Sequence, residues 1–150
     1  MPEHVFTVVA RGLSVDAQTN VLTLFGIVSD IGSPVLPVAI PELSIVTLWR
    51  RQAGEEGVGF IQRTQFVDPD GNEVAHFDTS FRFETMQQRI LGQLTMVPFQ
   101  RSGCHRIRIL IRCDDSLDWQ AVAASYPIEI TLHPTSAPSL FKTTNAATTD

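Results

Sequence analysis

The feature that most constrains the fold is the strict alternation in HRIRILIRC, residues 105–113. Isoleucine and arginine alternate along most of this segment. The apolar positions are Ile107, Ile109 and Ile111, and the basic positions are Arg106, Arg108 and Arg112. Because successive side chains of a β-strand point to opposite faces, this period predicts an antiparallel strand with one buried face and one face in water.

The same period of two runs through EVAHFDTSFRF, residues 73–83, and further β-branched and aromatic runs lie between Gly, Pro, Asp, Asn and Ser clusters. The predicted strands are 5–10, 21–30, 43–51, 58–67, 73–83, 89–97, 105–113 and 128–132. About eight short strands predict an all-β fold, a two-sheet antiparallel β-sandwich of immunoglobulin-like or jelly-roll topology. The sandwich should span residues 1–132 as a single domain.

Two predictions concern what fills this sandwich. In the strand 21–30, Leu22 and Leu24 alternate with Phe25 and Ile27, so both of its faces are expected to be buried. The two tryptophans and nine phenylalanines are expected to fill the core.

The remaining segments are predicted from their composition. Three prolines make 32–43 an extended crossover between the sheets. Residues 52–59 form a polar loop, and 14–20 suit one helical turn capped by Ser14. Residues 115–124 form either a short helix or a loop. The Thr-, Ser-, Ala- and Pro-rich tail, 133–150, cannot bury enough apolar surface to order and should be disordered.

The segment DPDGNE, residues 68–73, allows two interpretations. Asp68, Asp70 and Asn72 occupy every second position, which is the spacing of the oxygen ligands at the start of a calcium loop. An EF-hand, however, requires Gly at its sixth position, and Glu73 stands there. Pro69 and Gly71 instead suit a type I turn followed by a left-handed residue. The segment is therefore predicted to be a hairpin turn that directs Ala75, Phe77 and Phe81 to the core.

Composition argues against several classes of function. The net charge is −5, and the basic residues are ten arginines and Lys142 without a cluster, which disfavours nucleic-acid binding. The N-terminus lacks the pattern of a signal peptide, and no apolar run approaches the ~20 residues of a membrane span. Two cysteines on one strand, about 30 Å apart, cannot form an intra-strand disulfide and suggest a reducing compartment. We expect a cytoplasmic protein that binds neither membrane nor nucleic acid.

No catalytic residue and no cofactor is predicted. Phosphate-binding, dinucleotide-binding and nucleophile-elbow motifs are absent from the sequence. Cys104 and His105 are neighbours on a strand, so their side chains face opposite ways and cannot act as a thiol–imidazole pair.

Two surface features remain as candidate binding sites. Arg106, Arg108 and Arg112 could hold carboxylates or phosphates, or they could pair across the sheet with acids such as Asp78. His76 and Asp78 share a face and could bind a metal if His105 lay on a neighbouring strand, although a solvated polar face is the simpler explanation, because strands of period two always produce such pairs.

The motifs TNVLTLFGIVSDI, PVLPVAIPELSIVTLW, DPDGNE and RSGCHRIRILI together resemble a family of uncharacterised small bacterial β-sandwich proteins, a domain of unknown function. The resemblance spans roughly residues 4–132. Cys104 departs from it, because an aromatic residue usually follows this glycine in the family. The resemblance implies a soluble bacterial β-sandwich and no activity, cofactor or catalytic residue.

These observations lead to two functional hypotheses. The first is a non-catalytic interaction module that binds a protein partner or itself, since sheet faces and edges suit association. The alternative is a sandwich that binds a small molecule or metal through His76 and Asp78 or through the arginine face.

Overall fold

The computed structural model describes residues 1–122 and 125–133, and within them every regular element is a β-strand. The strands are β1 (Glu3–Val15), β2 (Leu22–Ile27), β3 (Asp30–Ser33), β4 (Val38–Arg50), β5 (Gly59–Val67), β6 (Glu73–Arg82), β7 (Gln87–Phe99), β8 (Gly103–Cys113), β9 (Gln120–Ala121) and β10 (Tyr126–Leu132). The predicted all-β, two-sheet fold is confirmed. Apart from His133, the predicted tail lies outside the described residues.

The strands form two sheets. The small sheet has the order β2-β1-β4-β7, and the large sheet has the order β3-β10-β8-β5-β6 with β9 also paired to β8. All pairs are antiparallel except β3 with β10, which run parallel. There are ten strands rather than about eight, because the predicted strand 21–30 divides into β2 and β3 and because β9 forms within 115–124.

The chain crosses between the sheets twice in succession. It leaves the small sheet after β2, adds β3 to the edge of the large sheet and returns through residues 34–37 to begin β4. The predicted crossover between the sheets is confirmed. The first crossing is held by Val28, whose amide donates to the carbonyl of Val9 over 2.8 Å and whose carbonyl accepts from the Tyr126 hydroxyl over 2.5 Å.

The core lies between the sheets and contains one buried polar network. Its apolar members include Val9, Leu43, Ile45, Phe60, Ile107, Ile109, Ile128 and Ile130. Among them, the indole N–H of Trp49 donates to Oε1 of Gln62 over 2.7 Å. The Gln62 amide in turn donates to the hydroxyls of Thr47 and Thr64. Trp49 and Thr47 belong to β4 and Gln62 and Thr64 to β5, so the network joins the central regions of both sheets.

The strand β2 is not buried on both sides as predicted. It is an edge of the small sheet and pairs only with β1. Phe25 is 55% exposed and Ile27 is 64% exposed. An alternating apolar sequence cannot reveal whether its second face is covered, because that depends on which layer lies above it.

The DPDGNE segment forms the predicted hairpin turn. The Gly71 amide donates to the Asp68 carbonyl over 3.0 Å, and Gly71 adopts a φ of 89°, which glycine tolerates readily. The Asp68 carboxylate accepts from the Asn72 amide over 2.8 Å, while the Asp70 carboxylate contacts Arg101. The two acids are therefore engaged in different contacts.

Ala75, predicted to reach the core, is exposed because β6 is also a sheet edge.

The segment 14–20 contains a single turn, in which the amide of Asn20 donates to the carbonyl of Asp16 over 2.9 Å, but Ser14 does not cap it. Ser14 lies within β1, and the turn that follows is capped by Asp16, whose Oδ1 accepts from the amides of Gln18 and Thr19 over 3.0 and 2.7 Å. In the segment 115–124, the described residues form a loop and then β9. Hydrogen bonding of β9 to β8 satisfies backbone groups that a short isolated helix would leave exposed.

We expect Gln62→Leu to lower the free energy of unfolding by about 1–3 kcal/mol, because the buried indole N–H of Trp49 would lose its acceptor. Urea denaturation monitored by circular dichroism measures this change. In a Trp49→Phe background the same substitution should cost less, since no indole N–H remains to be satisfied. An equal cost in both backgrounds would contradict the proposed role of this hydrogen bond.

Candidate functional site

The strand β8 has the predicted alternation. Ile107, Ile109 and Ile111 are buried, while Arg106 and Arg108 are exposed on the outer side of the large sheet. On the neighbouring strand β5, Arg106 lies opposite Val67 and Arg108 lies opposite Gln65. Neither of these arginines forms an ion pair with any residue in 1–122 or 125–133.

Asp78 does not pair with the β8 arginines, contrary to the expected cross-strand pairing. The strand order places β5 between β8 and β6, so Asp78 lies two strands from β8. Its nearest cation is Arg63 on β5, directly opposite in register. Arg63 donates from Nε and Nη2 to the two carboxylate oxygens over 2.7 and 2.8 Å, a bidentate ion pair.

Arg112 has a structural role and is not available beside the other two arginines. Its Nη1 donates to the carbonyls of Cys113, Asp114 and Ser116, at 3.2, 3.2 and 2.5 Å, and so holds the turn after β8. The guanidinium groups of Arg112 and Arg63 lie 5.1 and 4.4 Å from the centre of the Trp119 ring. Trp119, predicted in the core, instead makes cation–π contacts on the outer side of the large sheet.

His76 and Asp78 are engaged separately. Nδ1 of His76 lies 2.5 Å from Oε1 of Glu73, whereas Asp78 binds Arg63. His105 faces the opposite side of the large sheet, where it is buried, contacts the ring of Phe99 edge-on and donates from Nε2 to the Arg101 carbonyl. No group of three metal-ligating side chains occurs in the described ranges 1–122 and 125–133.

The two cysteines are free and half-buried. Cys104 and His105 point to opposite faces of β8, and the only hydrogen bond between them runs from the Cys104 thiol to the His105 carbonyl, over 3.7 Å. The imidazole cannot accept the thiol proton in this geometry. The arrangement gives this pair no means of nucleophilic catalysis.

The outer side of the small sheet carries a different kind of surface, which we call the apolar face. It presents large apolar side chains from all four strands, and two of its central residues, Ala10 and Val46, are already fully buried. Its members are Phe6, Val8, Phe25, Ile27, Val46, Leu48 and Leu91, together with Ala10. Phe6, Phe25, Ile27 and Leu91 are 38%, 55%, 64% and 40% exposed.

The strand register places these side chains together. Val46 on β4 lies opposite Val8 on β1 and Leu91 on β7, and Ala10 lies opposite Ile27 on β2. Residues directly opposite in a sheet share a face, so the surface is continuous across the four strands. Large continuous apolar surfaces with a polar margin mark sites of protein association.

Charged residues lie at the two ends of the apolar face. Glu42 lies four residues from the start of β4, while Arg50 at the end of β4 and Arg89 on β7 share the same outward side. Arg50 contacts Glu3 over 3.4 Å, and Arg89 donates to the carbonyl and side-chain oxygens of Asn20. Along β4, the apolar centre therefore has an acid on one side and, on the other side, arginines of which one is paired with Glu3.

The sequence did not reveal the apolar face as a site. Phe25 and Ile27 were assigned to the interior, whereas the structure places them on an edge strand, where they are 55% and 64% exposed. The signal present in the sequence was the absence of any charged residue in β2, LTLFGI. Natural edge strands commonly carry such charges.

Asp78→Asn should lower the free energy of unfolding at pH 7 by only about 0.5–1 kcal/mol, because this side chain is 38% exposed and solvent screens the pair. The hydrogen bond from Arg63 lowers the pKa of Asp78 below its usual value. The stabilisation is therefore present above the ordinary Asp pKa of about 3.9 and is lost as the pH falls through the lower folded-state pKa. Urea denaturation of both proteins across this pH range measures it.

The matched control is Asp118→Asn, which changes an exposed aspartate that forms no ion pair within the described ranges. It should leave stability unchanged at both ends of the pH range. A difference between wild type and Asp78→Asn that stays as large below the folded-state pKa of Asp78 as it is at pH 7 would contradict the role of the ion pair.

In the part of the chain that the structure describes, no helix is long and apolar enough to cross a membrane. A comparison with curated proteins found no match. The model of a family of unknown function, DUF6941, matches residues 8–123, most of the sandwich. This confirms the resemblance to an uncharacterised domain family, and the chain belongs to the DUF6941 family of unknown function.

Proposed function

We propose that the protein is a non-catalytic interaction module that associates with a second copy of itself through the apolar face. The observation that carries the proposal is the exposure of Phe25 and Ile27, at 55% and 64%, beside Phe6 and Leu91. Exposing several large apolar side chains together to water is unfavourable by about 25 cal/mol per Å² of apolar surface. A partner that covers them would remove this cost.

The outer side of the small sheet has about the size of a dimer interface. The strands β1, β4 and β7 each have 13 residues and β2 has six. With ~3.3 Å per residue and ~4.8 Å between strands, this whole side measures ~700 Å², and the apolar face is its central part. A specific interface of standard size buries about 800 Å² on each partner. Most of this sheet surface would therefore have to be covered, and a flat partner of matching size is required.

The charges at the ends of the face favour a second copy as this partner. A two-fold axis in the interface, perpendicular to the strands and near Val46, reverses the strand direction between the two copies. It would bring Glu42 of each copy towards Arg50 and Arg89 of the other. A two-fold interface must be self-complementary, and an apolar patch with opposite charges at its two ends meets this requirement.

The same axis also pairs the apolar side chains. Phe25 and Ile27 lie towards the Glu42 end of the face, and Phe6 lies towards the Arg50 end, opposite Leu48. Reversal of the strands therefore turns the exposed β2 side chains of one copy towards Phe6 of the other. The apolar centre would be dry and the charged ends would form a polar rim, as in typical interfaces.

We place this module in the bacterial cytoplasm. The support is that Cys104 and Cys113 are free thiols, which persist in a reducing compartment. The bacterial source rests on the family resemblance. The net charge of −5, without a cluster of basic residues, supports a partner other than nucleic acid.

The alternative hypothesis, a small-molecule or metal site at His76 and Asp78 or at Arg106, Arg108 and Arg112, remains a prediction. The contacts give it less support than the apolar face has, since His76, Asp78 and Arg112 are each engaged with other groups.

We expect Ile27→Lys to abolish self-association, because a charged ammonium group would have to lose its water within the interface. Size-exclusion chromatography with light scattering, over a range of protein concentrations, measures the mass. Wild type should show a dimer, and the variant a monomer with an unchanged circular dichroism spectrum.

The matched control is Leu117→Lys, which introduces the same charge at a leucine that is 90% exposed and outside the apolar face. This variant should dimerise as wild type does. A wild-type protein that stays monomeric at every concentration, or a dimer that survives Ile27→Lys, would refute the proposed interface.

A further inference from the structure

A cavity of about 610 Å³ opens at the side of the sandwich where the first residues of β1 face the large sheet. These residues form the edge of the small sheet, because β2 pairs with β1 only from Ala10 onwards. We call this space the β1 cavity, and its lining includes His4, Thr7, Trp49, Gln120, Val122 and Tyr126. Its volume lies within the range of about 300–1,000 Å³ that is usual for ligand sites.

A β-bulge in β1 turns two polar side chains into this cavity. On a regular strand, residues three apart such as His4 and Thr7 point to opposite faces. The pairing of β1 with β4 shifts at Val5, so that His4 lies opposite Trp49 and Thr7 lies opposite Thr47. Trp49 and Thr47 are buried between the sheets, and residues directly opposite share a face. His4 and Thr7 therefore both face inward, and bulges commonly redirect side chains in this way next to active sites.

His4 and Thr7 form a hydrogen-bonded pair, with 2.8 Å between Nε2 of His4 and the Thr7 hydroxyl oxygen. Burial lowers the pKa of His4 below its usual value, so the imidazole is neutral at pH 7 and has one N–H and one acceptor nitrogen. When Nε2 accepts from the hydroxyl, Nδ1 is a donor and the hydroxyl oxygen is an acceptor for a ligand. When Nε2 donates, the two roles are exchanged. The pair therefore offers a ligand one donor and one acceptor in either tautomer.

Hydrogen bonds hold the aromatic walls of the cavity in place. The indole N–H of Trp49 donates to Gln62 over 2.7 Å, and its ring meets the His4 ring edge-on, with 5.2 Å between the ring centres. The Tyr126 hydroxyl donates to the Val28 carbonyl over 2.5 Å. A site whose side chains are already fixed loses less conformational entropy when a ligand binds.

Gln120 adds a third polar group on the other wall of the cavity. It lies opposite Ile111 in the pairing of β9 with β8, and because Ile111 is buried between the sheets, Gln120 shares the inner side. Among the residues that the structure describes, no side chain of Asp, Glu, Lys or Arg lines the cavity. A charged ligand would therefore lose its water without a balancing charge, whereas an uncharged ligand avoids this cost.

We propose that the β1 cavity binds an uncharged bicyclic aromatic carboxamide. The N–H and C=O of the amide bond to the donor and the acceptor of the His4–Thr7 pair, and the rings pack against Trp49 and Val122. Aromatic ligands suit these walls, because aromatic pairs in edge-to-face or offset arrangements add to the free energy gained by burying apolar surface.

The compound 2-naphthamide is a suitable probe for the full chain. Isothermal titration calorimetry should show saturable binding, and amide NMR shifts should map to the start of β1, to β9 and to the start of β10. Three related compounds should bind more weakly: 2-naphthoate carries a charge, N,N-dimethyl-2-naphthamide lacks the N–H donors, and acetamide lacks the rings. Absence of 2-naphthamide binding, or equally tight binding of 2-naphthoate, would overturn the proposal.

Two variants separate the roles of the polar pair and of the cavity volume. Thr7→Val should weaken binding of 2-naphthamide about three- to tenfold and leave that of naphthalene unchanged, since it removes a hydrogen-bonding hydroxyl. Its matched control is Thr23→Val, at an exposed threonine of β2 outside the cavity. Gln120→Trp should weaken binding of both compounds about tenfold, since it fills the cavity. Its matched control is Leu117→Trp, at a residue that is 90% exposed and outside the lining.

Equal affinity of wild type and Thr7→Val for 2-naphthamide would refute the role of the polar pair, and unchanged binding in Gln120→Trp would refute the assigned cavity. Thermal unfolding of each variant shows whether the fold is retained, and the series of compounds tests wild type without any substitution. Phe6 belongs to the apolar face and also lines this cavity. Ile27→Lys changes the apolar face alone and should bind 2-naphthamide as wild type does, so failure of the dimer proposal and failure of this one can be told apart.

Discussion

The hydrogen bond between Trp49 and Gln62 is the interaction on which the relative placement of the two sheets depends. Both side chains are almost completely buried, and each lies on a central strand of its sheet. An apolar contact tolerates sliding, but a buried donor and acceptor must meet at about 2.7–3.2 Å or lose about 1–3 kcal/mol. The network that extends to Thr47 and Thr64 therefore fixes β4 against β5 and, through the ladders, every other strand.

The position of the edge strands follows from this alignment. With β4 and β5 fixed, β7 faces β6 at one side of the sandwich, and Phe77 meets Gly92 there. The same alignment places Ala75 opposite the β7 segment that contains Leu94 and Met96. The distance between these two segments is too large for small side chains to fill. The cleft of about 610 Å³ between the edge strands β6 and β7 is thus a consequence of how two sheets with unequal side chains meet at their edges.

The outer sides of the two sheets differ in a way that bears on association. The large sheet exposes polar groups that form ion pairs or hydrogen bonds, such as Arg63 with Asp78. The hydrogen-bonding capacity of these groups is therefore met by water or by their neighbours on the sheet. The small sheet exposes Phe25, Ile27, Phe6 and Leu91, which water does not solvate favourably. A partner therefore gains more free energy by covering the small sheet than by covering the large one.

Local structure follows from the amino-acid sequence wherever a pattern of residues is compatible with only one backbone conformation. The alternation of Ile107 to Ile111 set which face of β8 is buried, and Pro69 and Gly71 set the turn between β5 and β6, because backbone sterics allow few alternatives there. Which strands are neighbours, by contrast, depends on the fold as a whole. That choice put Arg63 rather than a β8 arginine beside Asp78, left Phe25 and Ile27 uncovered and turned His105 away from His76, because strand order and layering arise from contacts between residues far apart in the chain.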